Sequence, residues 1–311
     1  MENWIRAKLG LCRGPEWGTT ARMIVDAHVH LYPAEVDRDP AAWAAAHGEA
    51  HWAMLCTRRR RDGRPVQSLP TLAGLLRAMD DAGIGRAVLL GWYWEKPETC
   101  AWQNRFHATC VRAHPDRLAA CATLHPAVGP EAVLTELRRA REEGLSGVGE
   151  LSPHSQGYRC DDPAFEAALQ LAGELQFPDN LHVTDPASRR YPGWVETPAD
   201  DFVQLAHRFP ATRFILAHWG GMLPVNDARF ATLDNVWYDT AASPLVYAAD
   251  VWSRVLPALG TGRVLFGSDF PLNLYPRVAV EAEMARFLAE ARAGGAGDAV
   301  LGANAAKLFR L

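Results

Sequence analysis

Short apolar runs recur along the chain, and each is followed by a stretch whose apolar positions follow helical spacing. The runs are Ile24–His28, Arg86–Trp92, Leu118–Pro126, Leu145–Pro153, Asn180–Pro186, Arg213–Gly221, Asn235–Ala241 and Arg263–Pro271. The intervening segments 71–84, 104–117, 131–144, 164–177, 198–210, 247–260 and Val278–Arg292 read as helices, several stopped by Gly or a Pro-bearing turn. Continuous rather than alternating apolar strands, each separated by a helix, describe a parallel sheet covered on both faces. Eight such units predict an α/β fold, the (β/α)8 TIM barrel, as a single domain over 23–311 with a long loop, 32–68, after the first strand. A doubly wound open sheet is the alternative, but no G-x-G-x-x-G follows the first run. Residues 1–22 read as an N-terminal arm, or as a non-native extension if translation begins at Met23.

Composition narrows the classes of function. The 311 residues are 49% hydrophobic and 22% charged, with a formal net charge of -4. That balance gives no electrostatic case for a nucleic-acid partner. No apolar run is long enough to span a membrane, and the opening segment lacks the basic-then-apolar order of a signal peptide. Six scattered cysteines form no C-x-x-C pair, which points to reduced thiols and a cytoplasmic setting. Only Lys8, Lys96 and Lys307 are lysines among 32 basic residues.

The chemistry lies at the ends of the runs. The first ends in His28-Val29-His30, and in an extended strand residues two apart share a face, so the two imidazoles can meet one ion. Barrel active sites sit at the C-terminal strand ends, where the sequence places His28, His30, His125, Glu150, His182, His218, Asp239 and Asp269. Buried carboxylates among imidazoles need protons or a cation to neutralise them. A divalent cation takes these ligand types. Zn²⁺ is the first expectation, with Mn²⁺ or Fe²⁺ open, as one ion or two.

Four segments, "DAHVH" at 26–30, "LHVTDP" at 181–186, "LAHWGG" at 216–221 and "LFGSDFP" at 265–271, resemble the amidohydrolase superfamily in its amidohydrolase 2 branch. The resemblance spans the chain from Met23 to Leu311. It implies that His28, His30 and Asp269 bind metal, with His182 a ligand or near-ligand. It implies that His218 is a ligand or the group that orients and deprotonates water, and that Asp269 also accepts a proton. No lysine stands at a strand end, which leaves out the carbamate-bridged variant. "GVGELSP" resembles the strand-four segment of TatD-type hydrolases, implying that Glu150 contacts metal; the alternative is that Glu150 binds a substrate hydroxyl or an arginine.

His125 either lines the pocket or caps the turn at Pro126. His154, Tyr158, Arg189, Trp219 and Tyr275 are expected to shape a substrate pocket closed by His51, Trp52 and Trp94. Arg58–Arg61 read as a solvated loop or as a bidentate carboxylate clamp. Asp239 reads as a partner of a ligand histidine. The expected function is hydrolysis of a small lactone, amide or other carboxylic derivative through a metal-activated water. The alternative is non-oxidative decarboxylation of an aromatic or muconate-type acid, because the same branch is similar to aminocarboxymuconate-semialdehyde and resorcylate-type decarboxylases. A metal-stabilised binding protein without catalysis is the third reading. The expected partner is a small molecule, with a homodimer possible.

Overall fold

The computed structural model describes residues 23–60, 62–272 and 284–311. Its strands are β1 (Val25–His30), β2 (Arg86–Leu90), β3 (Leu118–Ala122), β4 (Gly147–Leu151), β5 (Pro178–Leu181), β6 (Arg213–Leu216), β7 (Val236–Asp239) and β8 (Val264–Leu265). All pair in parallel and in chain order. The sheet closes on itself where the Ala27 N–H bonds to the Phe266 carbonyl at 2.8 Å and the His30 N–H to the Phe270 carbonyl at 2.8 Å. The expected (β/α)8 barrel is therefore the fold. Among the described residues no helix is long and apolar enough to cross a membrane.

Two apolar layers hold the barrel together. Val25, Ala27, Val88, Leu90, Ala119, Cys121, Ile215 and Leu265 fill its interior, and Leu308 and Phe309 of the C-terminal helix Asn304–Phe309 pack against them. The opposite strand faces, with Leu89, Ala120, Val148 and Leu181, pack against the outer helices. Helix Pro163–Leu175 shows how the sequence builds that ring. Asp162 caps it by accepting from the Ala164 and Phe165 N–H groups, and Pro163 stands at its first turn. Phe165, Ala168, Leu169 and Ala172 then recur at helical spacing on the buried face.

The strands are shorter than the apolar runs, and the chain leaving each strand is irregular and carries polar side chains. β5 differs most. It begins at Pro178, ahead of the expected Asn180, and so includes Pro178 and Asp179, neither of which favours a strand by its own propensity. Its pairing with β6 from Pro178↔Arg213 onward supplies the order that the pattern lacked. The second expected helix starts earlier than expected, at Pro97 rather than near Asn104, because a proline suits a first helical turn. The long loop is not structureless. It folds into helices Ala34–Arg38, Pro40–His47 and Ala50–Cys56 around an aromatic cluster of Tyr32, Trp43, Trp52, Trp92, Tyr93 and Trp94. It is tied to the C-terminal end of the barrel by the Gln67↔Leu272 bridge and by the Ser68 N–H on the Pro271 carbonyl at 3.2 Å. The arm 1–22, Arg61, Tyr275 and the start of the last expected helix lie outside the described residues.

His107, on helix Pro97–Ala113, is buried with its two ring nitrogens each 3.4 Å from a carbonyl, those of Cys121 and Leu31. Burial lowers its pKa to about 4. Between that value and the unfolded value near 6.5 the unfolded chain binds the extra proton, so stability falls as pH drops through this window. The expected loss is about 3 kcal/mol by about pH 4. Urea unfolding between neutral pH and the folded pKa should show a shallower pH dependence in His107→Gln than in the wild type; equal slopes would refute this role.

Candidate active site

Two irregular strands aim the polar groups inward. In β1 the register with β2 shifts between Asp26 and Val29. Val25 and Ala27 face the interior, yet Val29 belongs to the outer layer. The shift therefore turns His28 and His30 inward, although strict alternation from Ala27 would send them out. β4 does the same: its register shifts between Val148 and Leu151, both of which pack outward, and leaves Glu150 pointing in. Gly149 permits this with φ +123, and a Cβ there would lie 2.5 Å from the Asn180 carbonyl oxygen. Gly267 performs a similar service on β1, since a Cβ there would come within 2.8 Å of the His28 Cβ.

The inward groups converge. His28 Nε2 and His30 Nε2 are 3.2 Å apart. Asp269 Oδ1 lies 3.7 Å from the first and 3.5 Å from the second. Glu150 Oε2 lies 3.8 and 3.6 Å from the same two atoms. The other Glu150 oxygen is 2.9 Å from His182 Nδ1 and 3.6 Å from His218 Nε2. His28, His30 and Glu150 are buried, whereas His182 and His218 keep 15% and 14% of their side-chain surface exposed. The last two therefore face the entrance.

Hydrogen-bond acceptors behind the rings set which nitrogen looks inward. His28 Nδ1 donates to Asp239 Oδ2 at 2.9 Å, His30 Nδ1 to the Leu90 carbonyl at 3.3 Å, and His218 Nδ1 to the Ala241 carbonyl at 3.3 Å. Each Nε2 lone pair is thereby left for the cluster. Asp239 does more than hold His28. It also accepts from Asn180 Nδ2 at 3.0 Å, from the His218 N–H at 3.0 Å and from the Ala241 N–H at 3.0 Å.

Charge completes the test for a metal. Burial opposes protonation of His28, but Asp239, Glu150 and Asp269 outweigh it and raise its pKa to about 10. Burial and the charge on His28 drive His30 down to about 3. Burial lifts Asp269 to about 7. Burial also opposes the charge on Glu150, but His182, His218 and His28 hold it well below the usual carboxylate range. The positive charge that these carboxylates meet comes from the imidazoles around them. Two nitrogens 3.2 Å apart need something positive between them, a proton or an ion. Two nitrogens on an ion at about 2.1 Å sit roughly 3.0–3.4 Å apart, so the observed spacing suits a metal. Two sets of three donors qualify, His28 with His30 and Asp269, and His28 with Glu150 and His218.

Other expected residues lie elsewhere. Trp219 is fully buried, donates from Nε1 to Ser243 Oγ and packs edge-on against Trp252, so it has no surface to offer a ligand. Trp94 is likewise buried, with its indole bonded to Gln103. These two are corrected to core positions, because a tryptophan after a strand end meets the packed layer as readily as the pocket. His125 caps the turn at Pro126 by accepting from the Ala127 N–H, and its other nitrogen meets the Gln156 carbonyl. His154 and Tyr158 line a cleft that contains none of the barrel donors. Arg189 is exposed on the loop after β5. Trp92 and Tyr93 are the residues that sequence reasoning missed. Trp92 stands edge-on to His30 at 5.3 Å, and Tyr93 tilts against His182 at 5.0 Å. Both adjoin Trp94 in "WYW", so the signal was the position after β2 rather than the residue chosen from it.

The amidohydrolase family matches residues 25–311, and this chain belongs to it, in the amidohydrolase 2 branch. It is a family of enzymes built on this metal-binding barrel. Decarboxylase OrsB of Emericella nidulans is 26% identical, the match covering 68% of this chain and 79% of that one. The fold is similar to 5-carboxyvanillate decarboxylase of Novosphingobium aromaticivorans, solved with manganese and 4-hydroxy-3-methoxy-5-nitrobenzoic acid, with TM-score 0.71 and 18% identity over 94% of this chain and 97% of that one. It is also similar to a probable 2-pyrone-4,6-dicarboxylic acid hydrolase of Acinetobacter baumannii, with TM-score 0.60 and 16% identity over 93% and 99% of the two chains.

Asp239→Asn places an amide where His28 needs an acceptor, and should weaken metal retention about 10- to 100-fold. Competition with a chelator measures this, and unchanged retention would count against the arrangement.

Proposed function

We propose that this protein is a metal-dependent, non-oxidative decarboxylase of a hydroxylated aromatic acid. The observation that carries the reading is the convergence of His28, His30, Glu150, His218 and Asp269 in a chain similar to a decarboxylase over 68% of its length. The decarboxylase of similar fold that holds a hydroxybenzoate analogue adds support. The hydrolysis expected first from Glu150 has less behind it. One oxygen of that carboxylate is engaged by His182, and the family match does not single out hydrolysis.

One divalent ion is the natural load, since both candidate donor sets use His28 and one ring nitrogen serves one ion. His28, His30 and Asp269 would hold it with Glu150 beside them, and the manganese in the related structure makes Mn²⁺ as suitable as Zn²⁺. Such an ion supplies a Lewis acid that anchors the oxygens of the substrate. The chain does the rest. Asp269 delivers a proton to the ring carbon that bears the carboxylate, forming a C–H bond with ring electrons. The C–CO2 bond then breaks, its electron pair restores the aromatic ring, and CO2 leaves. His218, held through its backbone and Nδ1, keeps Nε2 toward the substrate oxygens. Trp92 and Tyr93 form an aromatic wall beside His30 and His182. Arg58 has a buried Nε with no hydrogen-bond partner among the described residues, and its charge reaches Cys56, which also feels Asp269. A guanidinium so placed suits an acidic substrate.

The test is a panel of hydroxybenzoates in D2O with the Mn²⁺- or Zn²⁺-loaded protein. CO2 release with one deuterium at the vacated ring carbon is expected; lactone or ester hydrolysis with no CO2 from any acid would overturn the reading. Asp269→Asn should lower kcat about 10²- to 10⁴-fold, and His30→Ala should remove metal and activity together while leaving the fold by circular dichroism. Metal retained at full stoichiometry in His30→Ala would contradict its assignment as a ligand.

A further inference from the structure

A second group of donor side chains stands on the flank of the barrel. His154 lies on the short helix Pro153–Gln156 after β4, Cys160 follows that helix, and Asp201 sits in the first turn of helix Ala199–Arg208. Each offers one ligand atom, and these atoms lie within 4.8 Å of one another. They open onto a cleft of about 260 Å³ shared with Tyr158, Gln204 and Arg208. Nothing in the reaction proposed above uses them.

Three observations single this group out from an ordinary surface cluster. His154 Nε2 is 2.8 Å from Asp201 Oδ2, so a nitrogen and a carboxylate oxygen already stand side by side, where a cation can replace the proton they share. The other ring nitrogen, Nδ1, is buried on the side of the ring away from Asp201, without a hydrogen-bond partner among the described residues. The nearby guanidinium groups have carboxylate partners of their own, Arg208 with Glu166 and Arg159 with Asp161, although Arg159 also feels the charge of Asp201. Burial, with Asp201 and Asp161, pushes the Cys160 thiol up to about 12, so the sulfur keeps its proton unless a cation displaces it.

We propose that His154, Cys160 and Asp201 form a peripheral site for a borderline-soft divalent ion, with Zn²⁺ as its type. An imidazole nitrogen, a thiolate, a carboxylate oxygen and one water make a tetrahedral set, and the sulfur selects against Mg²⁺ and Ca²⁺. On binding, the S–H bond of Cys160 breaks, a sulfur–metal bond forms and the proton goes to solvent. Bonds of about 2.0–2.3 Å place tetrahedral ligands roughly 3.3–3.7 Å apart, so modest side-chain rotation closes the site. The ion would join the segment that follows Glu150 to the helix that follows the His182 loop. It would thus clamp together the two stretches of chain that carry the Glu150–His182 pair.

The full-length protein, with Mn²⁺ in the barrel, is titrated with Co²⁺ and followed in the near ultraviolet, where thiolate-to-cobalt charge transfer absorbs. The barrel donors include no sulfur, so the band reports the peripheral site whatever reaction the barrel performs. A band saturating at one equivalent is expected. It should be lost in Cys160→Ser, weakened at least tenfold in His154→Ala and retained in Cys56→Ser, the cysteine whose thiol feels Asp269 of the barrel. Zn²⁺ should compete it away and raise Tm. Absence of the band in the wild type, its survival in Cys160→Ser or its loss in Cys56→Ser would each overturn the proposal. Should Cys160→Ser fail to fold, the wild-type stoichiometry and His154→Ala decide the matter.

Discussion

The carboxylate of Asp239 is buried at the end of β7 and accepts four hydrogen bonds from three other parts of the barrel and from its own turn. Through Oδ2 it holds His28 and Asn180; through Oδ1 it holds the backbone of His218 and of Ala241. Burial opposes its ionisation, but His28 and the other donors keep its pKa below the ordinary aspartate value. Its charge decides the tautomer of His28, and so decides whether a lone pair or a proton faces His30. A partly satisfied version of this network would be costly, because the groups it holds are shielded from water. The geometry of the whole candidate centre depends on this one group being ionised and fully bonded.

Local irregularity is how the barrel achieves that arrangement. A regular β1 would bury Val29 inside and send both histidines outward; a regular β4 would do the same to Glu150. The shifted registers reverse this at the strand ends while leaving the lower barrel regular. His218 and Asp269 both adopt left-handed backbone, at φ 58 and φ 62. For non-glycine residues such conformations cost of order 1–3 kcal/mol each. The cost is offset by the surrounding bonds, since the His218 N–H meets Asp239 and the Asp269 N–H meets the His28 carbonyl at 2.9 Å. Strain and ligand positioning therefore coincide at the same residues.

The entrance is shaped by chain that the barrel does not require. The helices of the long loop bring Trp43, Trp52 and Tyr32 against Trp92, Tyr93 and Trp94, and the loop after β5 meets them where His51 Nε2 contacts the Gly193 carbonyl at 2.9 Å. Of this cluster, Trp92 and Tyr93 are the rings beside barrel histidines, whereas Trp94 and Trp52 stiffen the wall from behind. An apolar aromatic wall beside a floor of imidazoles and carboxylates able to hold a divalent ion fits a flat acid better than an extended chain. That division of labour accords with the proposed loss of CO2 from an aromatic ring.

The barrel, the number of its strands and the strand ends that carry His28, His30, Glu150, His182, His218 and Asp269 were all legible in the chain alone. These are local properties, written in apolar runs, helical spacing and the residue type at each run's end. The direction in which those residues point was not legible, because a single register shift reverses every side chain beyond it and leaves no mark on apolar periodicity. Nor could Trp92 and Tyr93 be told from Trp94 and Trp219, since equal hydrophobicity conceals whether an indole meets the pocket or the core. Pro178 and Asp179 were missed as strand residues because only pairing with neighbours, not their own propensity, makes them extended. The grouping of His154 and Cys160 with Asp201 arises only when an outer helix packs beside a strand-end loop. Direction, partners and burial belong to the tertiary structure, where contacts distant in sequence decide them.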